Sequence, residues 1–126
     1  MIVVADTTPL NYLILIDEIE LLPALYDRIL IPQQVHRETE WPTAPAPVRA
    51  WASVLPKWCE VRRVTSTPDA GLLELDAGER DAILLLLETG ADLLLIDEME
   101  GRREAMRRNL QVTGTVAVLE KAAQRG

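Results

Sequence analysis

Phenylalanine is absent from this chain, aromatic residues make up only 4%, and 126 residues hold one cysteine, Cys59, and one histidine, His36. Without phenylalanine the core must be mostly aliphatic. A single thiol excludes a disulfide framework. The start, Met1-Ile2-Val3-Val4-Ala5, has no basic leader region before Asp6, and with the lone thiol it points to a reducing cytoplasm. His36 and Cys59 lie far apart in sequence, which argues against zinc, and one helical histidine gives little support to a Ser–His–Asp arrangement. Long hydrophobic runs are also missing. The apolar run Ile83 to Leu87 falls far short of the roughly 20 residues that span a bilayer. Basic charge is scarce: 13 basic against 20 acidic residues give a net charge of −7, which is not the composition of a uniformly basic nucleic-acid binder. The deficit is uneven, with 7 basic and 16 acidic residues in 1–97 but 6 and 4 in 98–126.

What is present suits one folded domain over residues 1–126. Hydrophobic residues make up 48% and charged residues 26%, enough to fill a core and coat it. Short apolar runs alternate with helical segments. Ile2 to Ala5 reads as a strand buried on both faces. Thr8 can cap a helix with Pro9 in its first position, and a short helix follows at Leu21 to Tyr26. Arg28 to Ile31 reads as a second strand stopped by Pro32, with a helix from Gln33 to Glu40. Prolines 42, 45 and 47 make Trp41 to Pro47 a loop before a helix from Val48 to Leu55. Cys59 to Val64 reads as an edge strand and Thr65 to Asp69 as a turn. Gly78 opens a helix that runs to Thr89 and is closed by Gly90. Its apolar run covers the whole circumference, so central burial is expected. Leu93 to Ile96 is a buried strand, Glu98 to Asn109 a charged helix weakened by Gly101, Gln111 to Thr113 a short strand, and Thr115 to Gln124 a last helix. This alternation predicts a three-layer α/β/α sandwich on a mainly parallel sheet. It does not determine strand order.

In open parallel sheets, sites form at the carboxyl ends of strands. Two apolar strands here run straight into aspartate, at Asp6 and Asp97. Glu79 follows Gly78 at a helix start, and Glu38 lies on the helix after the second strand. If these four acids converge, a hard cation must neutralise them. Oxygen-only ligation suits Mg²⁺ or Mn²⁺, and such a metal supports phosphodiester hydrolysis. Each acid also has a structural reading. Asp6 can cap a helix with Thr7 and Thr8, Glu79 can complement a helix dipole, Asp97 can be a turn or cap residue, and Glu38 can be a solvated helix residue.

Four stretches carry a resemblance to a known family: VVADTTPLNYLILI, ILIPQQVHRE, LDAGERDAILLLLETGADLLLIDE and GRREAMRRNLQVTGTVAVLEKA. In this order and spacing, across residues 2–125, the chain resembles the PIN-domain ribonucleases, specifically the branch of VapC-like toxins of toxin–antitoxin pairs. The resemblance implies a compact α/β/α sandwich and Mg²⁺- or Mn²⁺-dependent cleavage of single-stranded RNA. It implies catalytic roles for Asp6, Glu38, Glu79 and Asp97. Of these, Asp6, Asp97 and Glu79 would hold the metal, with Thr7, Glu98 and Thr113 supporting them. It also implies a cognate antitoxin protein as partner, and a homodimer, for which the apolar helix Leu10 to Ile16 would suit a helix–helix interface.

The sequence departs from the family pattern in two places. Many PIN domains carry a further acid near the last short strand, where this chain reads Val112-Thr113-Gly114-Thr115; Glu98 is the candidate substitute. Relatives commonly continue past the final helix, whereas this sequence stops at Gly126. RNA needs a basic surface near an acidic pocket, and Arg102, Arg103, Arg107 and Arg108 offer one, although they can equally form a solvated face paired with Glu100 and Glu104. Trp41, Trp51 and Trp58 can stack bases or pack against the core. His36 is expected to be a partly exposed helix residue and Cys59 an unreactive packing residue. Two other functional classes compete with the nuclease. One is a PIN-like binding module without turnover. The other is an aspartate-nucleophile phosphatase of the haloacid dehalogenase type, which usually has a second aspartate where Thr8 stands.

Overall fold

Strand β1 (Ile2–Ala5) lies at the centre of a five-stranded sheet whose order is β3-β2-β1-β4-β5. Every pairing in the computed structural model, which describes residues 1–126, is parallel. β2 (Arg28–Pro32) flanks β1 on one side, with Val4 opposite Leu30, and β4 (Leu93–Leu95) on the other, with Val4 opposite Leu94. β3 (Cys59–Arg62) and β5 (Val112–Thr113) are the edges. Parallel neighbours require crossovers. Helices supply them: α1 (Thr7–Leu15), α2 (Leu21–Leu25), α3 (Gln33–Glu40), α4 (Ala46–Ser53), α5 (Ala70–Leu73), α6 (Ala77–Thr89), α7 (Met99–Arg107) and α8 (Thr115–Gln124).

The strands are apolar without alternation because both faces are covered. Side chains of odd and even residues point to opposite faces. Val3, Ala5, Ile29 and Ile31 therefore pack with Leu10 and Leu13 of α1, Leu22 of α2 and Val118 of α8. Val4, Leu30 and Leu94 pack on the other face with Leu72 of α5, Ala82 to Leu86 of α6 and Ala105 of α7. These two clusters are the two sheet–helix interfaces of the α/β/α sandwich. α6 is the most deeply placed helix: Ile83 to Leu86 are all buried, and only Leu87 of the apolar run reaches solvent. Gly90 ends it at φ 69°, a left-handed conformation that glycine adopts at no steric cost. No helix is long and apolar enough to cross a membrane.

Several boundaries differ from the sequence reading. α1 starts at Thr7, with Asp6 at the N-cap and Pro9 in the third helical position. Proline is tolerated there because the first-turn amides have no helical acceptor. For the same reason α4 starts at Ala46 and takes Pro47 into its first turn, so the loop is shorter than expected. A one-turn helix, α5, follows Asp69, whose side chain accepts from the Leu72 amide; its four residues are too few for periodicity to reveal. α7 ends at Arg107, because Asn109 turns left-handed at φ 62°, which asparagine tolerates. The apolar helix near the N-terminus divides its face. Leu10 and Leu13 are consumed by the chain's own core, while Tyr12, Leu15 and Ile16 remain half-exposed. Trp51 and Trp58 pack together with centroids 6.0 Å apart, and Trp41 is half-exposed. The ring of His36, half-buried, meets the Ala52 carbonyl through Nε2 at 3.0 Å.

Candidate active site

Because β1 and β4 are neighbours, their carboxyl ends present Asp6 and Asp97 on one rim. Ala5 is opposite Leu95, and the Asp6 amide continues the ladder to the Leu95 carbonyl at 3.0 Å. Asp6 occupies the N-cap of α1, yet its side chain makes no cap bond to that helix. The carboxylate is instead directed into the protein, with 3% of the residue exposed.

Two further elements bring acids to Asp6. α3 follows β2, the other neighbour of β1, and carries Glu38. Glu38 Oε1 accepts the Thr7 hydroxyl at 2.6 Å, and Oε2 accepts Gln34 Nε2 at 3.1 Å. α6 enters at the same place through Gly78. A Cβ on that residue would stand 2.7 Å from Glu38 Oε1 and 3.1 Å from Asp6 Oδ1. The missing side chain is thus the space in which the two carboxylates meet. Asp76 caps α6 by accepting the Glu79 amide at 3.0 Å, and Glu79 itself is buried. Glu79 lies beneath α7, where Gly101 admits it: a Cβ there would meet the Glu79 carboxyl carbon at 3.6 Å and Ile96 Cδ1 at 2.5 Å. Gly101 therefore marks close packing of α7 onto the site.

Asp97 is held differently. Its Oδ1 accepts the Thr115 amide at 2.8 Å and its Oδ2 the Thr115 hydroxyl at 2.6 Å. The carboxylate stands at the start of α8, where free amides and the helix dipole favour a negative charge. Thr113, two residues earlier, contributes its carbonyl to the ladder from Ile96; the hydroxyl that bonds Asp97 is that of Thr115. Glu98, at the N-cap of α7, is exposed and is shared by two hollows. One, of about 640 Å³, is lined by Glu74, Asp76, Glu79, Glu98 and Glu100 with Leu75 and Met99. The other, of about 580 Å³, runs from Asp97 and Thr115 between Tyr12 and Ile16 of α1 and Val116 and Leu119 of α8.

Electrostatics follow from this crowding. Burial, then the charges of Asp76, Glu79 and Glu38, push the Asp6 carboxyl up to about 7 against the pull of the Thr7 amide. Burial, then Asp76, Glu98 and Glu100, push Glu79 up to about 7 as well. None of Asp6, Glu38, Glu79 and Asp97 takes part in an ion pair. The charges of Asp6, Glu38, Asp76 and Glu79 together attract a cation, and Asp97 stands at the end of the neighbouring strand, clasped by Thr115. The donors are all oxygens, as Mg²⁺ and Mn²⁺ prefer, but no three of the chain's acidic, histidine or cysteine side chains close into a ready cage. A hard cation here would therefore rest on one or two carboxylates, with waters completing its shell. On α1, Asn11 Oδ1 is buried without a partner. It lies one turn after Thr7 and so on the same helix face.

The match to known proteins agrees with this geometry. The family model for DUF3368, a PIN domain, matches residues 2–126. The chain belongs to the PIN-domain family. A solved structure of a PilT N-terminus domain protein from the hyperthermophilic archaeon Sulfolobus solfataricus P2 is similar to it, with a TM-score of 0.67 and 14% identity over 96% of this chain and 92% of that one. At that identity the likeness speaks for the fold alone. No match was found among the curated proteins. PIN domains are typically nucleases that use divalent metal ions, so membership brings nuclease-type chemistry and nucleic acid into consideration for this PIN domain.

Three features of the site were not singled out in the sequence: Asp76, the space left by Gly78, and the Thr115 clasp on Asp97. Asp76 carried a signal, since an aspartate three residues before Glu79 and ahead of an apolar run is a capping pattern. The other two depend on approaches between distant segments.

Proposed function

We propose that this PIN domain is a metal-dependent endoribonuclease that cleaves single-stranded RNA by phosphodiester hydrolysis, and that it acts in the cytoplasm as the toxin of a toxin–antitoxin pair. The observation that carries this reading is the buried Asp6 carboxylate, set against Glu38 across Gly78 with neither acid in an ion pair. The likeness to VapC-like toxins in four ordered stretches supports the toxin role, an antitoxin partner and a homodimer. The exposed half of the α1 face, Tyr12, Leu15 and Ile16, is the surface offered for that dimer.

Asp6 and Asp97 would hold Mg²⁺ or Mn²⁺, supported by Glu79. The ion, when bound, neutralises the acids, polarises a phosphoryl oxygen and lowers the pKa of a water. Glu38, fixed by Thr7 and Gln34, orients the attacking water. Thr115 holds Asp97 at the rim, and Asp76 and Glu98 enlarge the negative field. Thr7, Glu98 and Thr113 support the site in this reading, and α7 supplies arginines toward the RNA. The protein contributes positioning and charge rather than a covalent intermediate.

The test is cleavage of mixed single-stranded RNA with Mn²⁺, Mg²⁺ or EDTA by the wild type, Asp6→Asn and Asp97→Asn. Cleavage that needs metal and disappears in both variants is expected. One observation favours a second reading, a PIN-like module that binds without turnover: no three of its acids form a closed cage. A folded, metal-replete protein that cleaves nothing would select that reading.

A further inference from the structure

The four arginines of α7 and its C-terminal turn are not equivalent. Arg107 and Arg108 are both spent on Glu104, at 2.5 and 2.7 Å, and Arg108 also reaches Asp69 at 2.7 Å. Arg103 lines a hollow between α5 and α7 with Glu74, Glu100 and Glu104. Arg102 stands apart. It is half-buried, forms no ion pair, and donates Nη1 to the Ile96 carbonyl at 3.0 Å, the last residue before Asp97. Gly114 is the reason it can reach there. A Cβ on Gly114 would lie 2.8 Å from both Arg102 Nη1 and Asp97 Oδ1. The guanidinium and the carboxylate therefore flank the same small space at the ends of β4 and β5.

A guanidinium has five N–H donors in a planar fork. One bond to a backbone carbonyl pins this fork without neutralising it. Arg102 lines a hollow of about 360 Å³ with Asp97, Met99, Gly114, Val116 and Glu120. A pinned guanidinium with no direct ion pair matches phosphate geometry, and the acids Asp97 and Glu120 that share its hollow leave it as the one positive group there.

We propose that Arg102 holds a phosphate of the single-stranded substrate adjacent to the one at Asp97, and so sets the path of the strand past the β4 and β5 ends. This rests on the nuclease reading and adds to it the residue that grips the strand. Arg107 and Arg108, committed to Glu104 and Asp69, make no comparable contact.

The test measures binding rather than turnover. Fluorescence anisotropy follows a labelled ten-nucleotide single-stranded RNA across a salt series with Ca²⁺ in place of Mg²⁺, and the RNA is verified intact on a gel after each reading. Wild type is compared with Arg102→Gln, Arg102→Lys and Arg28→Gln; Arg28 starts β2 at the opposite end of the sheet. Loss of one phosphate contact lowers the slope of log K against log salt by about 0.7 for a single strand. Arg102→Gln is expected to show that change and to bind roughly tenfold more weakly, as for a lost charge-assisted bond. Arg28→Gln is expected to match wild type. Arg102→Lys keeps the slope but loses part of the affinity, because a point charge replaces the fork. If Arg102→Gln proves misfolded by circular dichroism, Arg102→Lys decides: wild-type affinity in it overturns the proposal. An unchanged slope and affinity in a folded Arg102→Gln overturns it while leaving the nuclease reading intact. Absence of RNA binding by the wild type overturns both.

Discussion

Thr7 donates its hydroxyl to Glu38 Oε1 at 2.6 Å and so joins the first turn of α1 to α3 across the carboxyl edge of the sheet. Thr7 follows Asp6 directly, so this bond sets the spacing between the two acids. It makes Thr7 a positioning residue. Thr7→Val keeps the shape and removes the donor. The expected result is a loss of about 1 kcal/mol in stability and a fall of roughly tenfold in kcat with little change in KM, as when a group acting in the transition state loses its orientation. Thr7→Ser, which restores the hydroxyl, should recover most of the rate. Steady-state cleavage kinetics and thermal melts check both halves.

Gly78 offers a sharper test of geometry. Ala at this position places a methyl 2.7 Å from Glu38 Oε1, nearer than atoms tolerate, so the carboxylates must part. Alanine is otherwise the better helix residue, by about 1 kcal/mol. Gly78→Ala should therefore retain its helical circular dichroism while losing metal-dependent cleavage and weakening Mn²⁺ binding in calorimetry. Undiminished Mn²⁺ binding would count against Asp6 holding the ion beside Gly78.

The raised carboxyls of Asp6 and Glu79 make stability depend on pH. Unfolded, both groups release their protons near pH 4; folded, they hold them up to about pH 7. Between these limits the native state binds more protons, so its stability falls as pH rises. The metal-free protein should melt at a higher temperature at pH 5 than at pH 7.5. Asp69, Glu88 and Glu104, whose carboxyls are lowered, act in the opposite sense, but only below about pH 4.5. Asp6→Asn should flatten the profile and raise the melting temperature at pH 7.5. Adding Mn²⁺ at pH 7.5 should stabilise the wild type more than Asp6→Asn. A melting temperature that rises steadily from pH 5 to 7.5 without metal would contradict the arrangement.

Cys59 gives an independent check on the packing of the edge strand. It is buried in the core cluster with Ile29, Ile31 and Val35, and burial pushes its thiol up to about 12. At pH 8 a thiol reagent should label it only after denaturant is added. Prompt labelling of the folded protein would mean that β3 opens readily.

The elements themselves were legible from local chemistry. Unbroken apolar runs marked β1, β2 and β4 because a sheet covered on both faces leaves no position for a polar residue. Gly90 marked the end of α6 because that position takes a left-handed backbone. The four acids stood out because Asp6 and Asp97 terminate such runs. α5 and the exact start of α4 were not legible, since four residues carry no period and prolines in a first turn read equally well as loop.

What the chain alone determined, then, was its alternation of strands and helices and the placing of aspartates at strand ends. Tertiary structure decided which ends are neighbours. Only the order β3-β2-β1-β4-β5 sets Asp6 beside Asp97 and brings α3 and α6 in at the same edge. Only the approaches at Gly78 and Gly114 reveal that Glu38 and Asp6 flank one glycine and Arg102 and Asp97 the other. Each glycine lies far in sequence from the side chains that flank it, and the approach depends on the crossovers, whose routes no local pattern of hydrophobicity encodes.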